Sequence, residues 1–231
     1  MSAAVLRAEG LAWTRPARSG EAARVVLQDA SLAIQPGEMV AVSGPSGVGK
    51  SVLGSLVLRL REVPAPGRVL WGDRDVTALG ARALTPLRAR HQGLLQQTAA
   101  ILPPFCSVEE SLLETLRHVC RDRSAARARV REVAELLGIA ALLGRRPRFL
   151  SGGEQRKAGV ARLLLTNPAF AFVDEPDSGL DPVSQHEVLG ELRKAVDRSG
   201  MGMLVVTHNA LLARRYADRR LILQEGRLHA S

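Results

Sequence analysis

Eight consecutive residues, Gly44-Pro45-Ser46-Gly47-Val48-Gly49-Lys50-Ser51, constrain this chain more than any other stretch. They follow an apolar run, Met39-Val40-Ala41-Val42-Ser43, that reads as a buried parallel strand, and they open a helical stretch from Lys50 to Leu60. Strand, glycine loop and helix in that order form a phosphate cradle. Glycines at 44, 47 and 49 free successive backbone N–H groups to wrap a phosphate, with the positive end of the helix dipole behind them. The pattern assigns Lys50 to the β and γ phosphates of a nucleoside triphosphate and the Ser51 hydroxyl to Mg²⁺. Pro45, Ser46 and Val48 complete the loop, and Val52 stands beside Ser51.

Lys50 is informative for a second reason. Of 32 basic residues only Lys50, Lys157 and Lys194 are lysines, so arginine is this chain's ordinary means of placing positive charge. A compact ammonium fits between phosphate oxygens where a planar guanidinium does not. The net charge of +9 comes from basic residues spread along the chain rather than gathered in a block, and aromatic residues are scarce at 3%. No direct nucleic-acid partner is expected from such a distribution. Cys106 and Cys120 lack the paired spacing of a zinc site or a disulfide framework.

At 231 residues the chain suits one large domain with an inserted lobe. No apolar run reaches the ~20 residues that span a bilayer, and Met1 to Trp13 lacks a secretory pattern, so a cytoplasmic location is expected. Apolar strands recur at Ala169 to Val173, Met203 to Val206 and Leu221 to Leu223, separated by helical stretches such as Pro182 to Arg198. Such alternation predicts a parallel sheet with helices on its faces. Between Ser107 and Leu143 the apolar residues instead recur at helical spacing. There Ser107 with Glu110 forms a capping-box start, and Gly138 a stop.

Two later motifs carry chemistry. Asp174 and Glu175 end an apolar strand, which places them at the carboxyl edge of a parallel sheet, beside the phosphate loop. Asp174 is the candidate Mg²⁺ ligand and Glu175 the candidate for polarising the water that attacks the γ-phosphate. Ser151-Gly152-Gly153-Glu154 has the form of a helix start, Ser151 capping and Glu154 three residues on. A cap alone has no need of two glycines, which cost helix stability, whereas close approach of an anion to bare backbone does.

On these motifs the chain resembles, over nearly its whole length, the ATP-binding cassette subunit of an ABC transporter. Leu150-Ser151-Gly152-Gly153-Glu154 is similar to the signature motif that sets this family apart from other phosphate-loop ATPases. The resemblance implies an α/β phosphate-loop NTPase with a mostly parallel core sheet, an N-terminal antiparallel β region and an inserted helical lobe at about 105–160, residues 1–231 forming a single domain. It implies ATP and Mg²⁺ as ligands. It also implies head-to-tail pairing with a second cassette, identical or different, so that Ser151, Gly152, Gly153 and Glu154 face the partner's nucleotide. Transmembrane permease subunits are the implied partners, with the cassette peripheral on the inner face of the membrane.

Residue by residue, Gln96 resembles the glutamine that meets Mg²⁺ and the attacking water, with Gln97 its neighbouring alternative. Ser178-Gly179-Leu180-Asp181 is similar to the loop that crosses the dimer interface, and Asp181 also reads as a helix cap before Pro182. His208, ending Met203 to Thr207, sits at the position of the family's γ-phosphate histidine. Trp13 or Arg15 is the candidate to stack on adenine. Asp177 stands where the family carries a small hydroxyl residue. Leu102-Pro103-Pro104 and Val183-Ser184-Gln185 look most like cassettes of peptide, nickel and metallophore importers, whereas Leu204 to Arg227 looks equally like lipoprotein-releasing exporters. The ending soon after Gly226-Arg227 leads us to expect no extra carboxy-terminal domain. The competing readings are a non-transport cassette, either a soluble scaffold or a nucleic-acid-associated ATPase, and a simple phosphate-loop kinase. Membrane co-purification separates the first from a transporter; the Ser151-Gly152-Gly153 turn argues against the second.

Overall fold

A computed structural model describes residues 4–17, 22–95, 102–117 and 120–231. Its centre is a six-stranded sheet. In chain order its strands are β3 (Met39–Ser43), β6 (Gln92–Leu95), β7 (Phe170–Asp174), β8 (Gly202–Val206), β9 (Arg219–Gln224) and β10 (Arg227–Ala230). They lie in the order β10-β9-β3-β8-β7-β6, parallel except for the β9–β10 hairpin. A second, antiparallel sheet joins β1 (Leu6–Arg15), β2 (Arg24–Ile34), β4 (Arg68–Trp71) and β5 (Arg74–Asp75) in the order β2-β1-β4-β5. A mostly parallel core sheet beside an antiparallel β region built largely from the N-terminal strands is the architecture that the resemblance implies.

Period-2 alternation along the core strands divides the interior into two apolar layers. Phe170 and Phe172 of β7, with Leu204 and Val206 of β8, face the antiparallel sheet and helix α1 (Lys50–Val57). Ala171, Val173, Met203 and Val205 face the other way, toward the helices α3 (Val108–Leu116), α4 (Arg123–Leu136), α5 (Gly152–Thr166) and α6 (Pro182–Ser199). Of the remaining helices, α2 (Ala81–His91) leads into β6 and α7 (Ala210–Tyr216) follows β8. Helix α1 sits close on β7 because of Gly54. A Cβ there would stand 2.1 Å from the Phe172 ring.

Helix α1 ends at Val57, three residues before the expected Leu60. The reason lies in Arg59, which takes a left-handed φ of 54° and turns the chain away. Its guanidinium is held there by the carbonyls of Val76, Arg61 and Leu79. Helices α3 and α4 bear out the 3.6-residue pattern in the middle of the chain. Ser107 and Glu110 make the full reciprocal capping box, and Gly138 follows α4 with φ 67°. No helix among the described residues is long and apolar enough to cross a membrane.

Candidate nucleotide site

The loop between β3 and α1 lies at the carboxyl edge of the parallel strands, where the ends of β7 and β8 also arrive. Gly49 caps α1 with a left-handed φ of 117°, and a Cβ on it would stand 2.5 Å from Val26 Cγ1, so conformation and packing both demand glycine. No side chain caps this helix start and no acid occupies its first turn. The positive end of the helix is thereby kept for an outside anion.

Lys50 is buried, with Nζ donating to the carbonyls of Gly44 and Pro45, 2.9 Å each. Burial pushes its pKa down, opposed by the charges of Glu175 and Asp174. Asp174 shows the mirror image: burial raises its carboxyl, while a hydrogen bond from Ser51 and the Lys50 charge pull it back. Asp174 Oδ1 is buried without a hydrogen-bond partner among the described residues. A hydroxyl oxygen beside a carboxylate with a spare buried oxygen is a donor set that fits a hard, oxygen-seeking cation such as Mg²⁺.

Glu175 follows with a left-handed φ of 47°, its N–H donating to the Val206 carbonyl at 2.9 Å. Its Oε1 lies 2.5 Å from His208 Nε2. The two candidates from separate strand ends therefore meet. A cavity of about 560 Å³ brings together Trp13, Ser46, Gly47, Gly49, Lys50, Ser51, Val52 and Glu175. Arg15 also lines it, so both stacking candidates reach the same space. Glu175 and His208 together line a neighbouring cavity of about 420 Å³, with Asp177 and Asn209.

Ser151, Gly152, Gly153 and Glu154 do not line the nucleotide cavity. Ser151 accepts from Glu154 N–H, and the Glu154 carboxylate accepts from Ser151 N–H, completing the expected box at the start of α5. Gln96 and Gln97 fall outside the described residues. Arg61 is a cavity residue that the sequence does not advertise. Its guanidinium lies 5.0 Å from the Trp13 ring centroid, a cation–π stack made only by the fold.

The family model described as ABC transporter matches residues 27–178. The chain belongs to that family. The lipoprotein-releasing system ATP-binding protein LolD from Cereibacter sphaeroides is 38% identical over 91% of this chain and 92% of its own length. The protein of that name from Ruegeria pomeroyi is 38% identical over 100% of this chain and 99% of its own length. A dimeric post-hydrolysis structure of the ATP-binding cassette MJ0796, bound to ADP and Pi, superposes with TM-score 0.84 at 26% identity, covering 98% of this chain and 97% of that one. As an ABC cassette, this chain is the ATP-binding, ATP-hydrolysing subunit of a membrane transport system. These relatives correct the expected affinity to peptide, nickel and metallophore importers, because they carry the lipoprotein-releasing name. Leu102-Pro103-Pro104 is a short match outweighed by identity along the whole chain.

Proposed function

We propose that this ABC cassette powers a lipoprotein-releasing type of transporter, pairing with a second cassette and docking as a peripheral subunit on the inner face of the membrane against transmembrane permease subunits. The observation that carries the catalytic part is the meeting of Glu175 with His208 at the rim of the Lys50 cavity. Glu175 polarises the attacking water, and His208 holds Glu175 in place and contacts the γ-phosphate. Lys50 exchanges its two carbonyl partners for phosphate oxygens, a favourable trade for a buried ammonium. Trp13, backed on its ring by Arg61, stacks on adenine, with Arg15 beside it at the cavity wall. Ser51, Asp174 and Gln96 would hold Mg²⁺, which supplies charge neutralisation at the phosphates when bound. Ser151 to Glu154 would serve the partner cassette's nucleotide, consistent with their absence from this chain's own cavity. Residues 1–231 act as one domain in this reading, the lobe at about 105–160 carrying that turn.

Glu175→Gln tests the chemistry. Turnover falls by about a hundredfold or more while ATP is retained and the dimer accumulates, read by retained nucleotide and sedimentation. Unchanged turnover sinks the assignment. A pull-down of the tagged chain from detergent-solubilised membranes tests the partners. Recovery of polytopic subunits supports the transporter; a substrate-binding subunit among them would instead favour the importers suggested by Leu102-Pro103-Pro104.

A further inference from the structure

Asp177 is a buried carboxylate that phosphate chemistry does not call for, and it stands two residues beyond Glu175. Its Oδ2 accepts from the Thr207 hydroxyl at 2.7 Å. The Thr207 hydroxyl in turn accepts from the Asn209 N–H at 3.0 Å, so both neighbours of His208 are tied to Asp177. Gln185 completes the frame: its amide donates to the carbonyls of Asp177 and Leu180 and its oxygen accepts from Asn209, each at 3.2 Å. The opposite charge comes from α5. Arg156, in the second turn of that helix, donates from Nη2 to the Ser178 carbonyl at 2.8 Å.

One polar atom of each charged group is buried without a hydrogen-bond partner among the described residues: Asp177 Oδ1 and Arg156 Nη1. A buried charge with incomplete hydrogen bonding is costly unless an opposite charge compensates it. Burial lowers the Arg156 pKa, and the nearby Asp177 charge is what works against that loss. Asp177 thus supplies, from a different element, the charge that offsets the burial of Arg156.

We propose that Arg156 and Asp177 are a charge-compensated pair of positioning residues that fixes the His208 loop relative to helix α5. This rests on the reading of Glu175 and His208 given above. Neither group touches the nucleotide cavity; the pair acts through Thr207 and Asn209, which flank His208, and so sets the His208–Glu175 contact. A small misplacement of that contact lowers the rate of the chemical step with little effect on nucleotide affinity.

The test is a double-mutant cycle on the purified full chain, by steady-state ATP hydrolysis with melting temperature and ATP affinity measured alongside. Asp177→Asn keeps the shape and an acceptor for Thr207 but removes the charge; Arg156→Gln removes the other. Each single change lowers kcat about tenfold with KM for ATP within about twofold, and the double variant recovers to within about threefold of wild type. Single variants with kcat within about twofold of wild type, or losses that multiply in the double variant, overturn the proposal. Should Asp177→Asn fail to fold, Thr207→Val cuts the hydroxyl link while leaving both charges, and an unchanged kcat there overturns it equally. Glu175→Gln runs in parallel. Full turnover in that variant removes the underlying catalytic reading; lost turnover there with an unaffected Arg156–Asp177 cycle removes only the positioning pair.

Discussion

Helices α1 and α5 both start at glycine, Gly49 capping the first and Gly152 opening the second, and they solve the same problem in opposite ways. Every helix start exposes N–H groups that need acceptors. Helix α5 supplies acceptors from its own side chains, Ser151 and Glu154 bonding reciprocally to each other's backbone. Helix α1 supplies none, and it sets a lysine rather than an acid at its first position. The glycines differ as well. Gly49 is required by the chain itself, through its φ of 117° and the Val26 side chain against it. Nothing among the described residues requires Gly152 and Gly153: a Cβ on either would meet none of their atoms within 4 Å. Their bareness is what the proposed approach of a partner's nucleotide from outside requires.

The largest effect that could break this contrast is at Gly49. Gly49→Ala places a Cβ in strained backbone against Val26, costing roughly 1–3 kcal/mol of stability. It also distorts the phosphate loop, so ATP affinity falls on the order of a hundredfold. Calorimetric titration with ATP and thermal melting read the two losses separately. A Gly49→Ala chain that binds ATP normally would mean the left-handed cap is incidental.

Gly153→Ala is the counterpart and should separate stability from activity. Alanine in a helical first turn with open space is tolerated or favoured, so stability is unchanged or rises by up to about 1 kcal/mol. Turnover nonetheless drops by about tenfold or more, because the added methyl stands between the partner's γ-phosphate and the helix. If Gly153→Ala hydrolyses ATP like the parent, the α5 turn is a cap and nothing else.

The difference between the two turns also explains which parts of the site are legible in the sequence. The phosphate loop and the strand-end carboxylates declare themselves because their chemistry needs fixed residue types at short spacing. Gly44 to Ser51 and Asp174-Glu175 are each contiguous, and the apolar strand before each one fixes its position at the sheet edge. His208 is readable because the apolar run Met203 to Thr207 sets it at a strand end, where it resembles the family's γ-phosphate histidine. Arg61 over Trp13 and Arg156 against Asp177 join residues 48 and 21 positions apart, on different elements, and no periodicity links them. The early end of α1 escaped for a related reason. Arg59 looks like an ordinary helix residue until Val76 and Leu79, brought close by the antiparallel sheet, offer it carbonyls.

Asp174 sharpens the comparison from the side of electrostatics. Its carboxyl is held above the usual range chiefly by burial, so ionised Asp174 destabilises the nucleotide-free protein. The sign follows from linkage. A raised folded-state pKa means that the penalty is absent below the unfolded-state value and fully present above the folded-state one. Asp174→Asn therefore raises the melting temperature at neutral pH, and the advantage over wild type shrinks as the pH is lowered through the carboxylate range. The same variant loses Mg²⁺-dependent turnover. A melting temperature lower than wild type at pH 7 would show that the hydrogen bond from Ser51 outweighs desolvation.

The smallest effect isolates the cap from the site. Ser107 and Glu110 form at α3 the same reciprocal box that Ser151 and Glu154 form at α5, with an acid in the same position of the first turn. The α3 box, however, has no glycine pair behind its cap: Val108 and Glu109 occupy the positions of Gly152 and Gly153. Nothing there is bared for an anion. Ser107→Ala costs ~1 kcal/mol of stability, the ordinary price of one lost cap. Its kcat and KM stay at wild-type values, while Ser151→Ala, at a similar cost in melting temperature, also lowers kcat. Equal kcat in the two variants would reduce the α5 turn to a helix cap. Unequal kcat at matched stability would assign the excess to whatever approaches Gly152 and Gly153 from outside the chain.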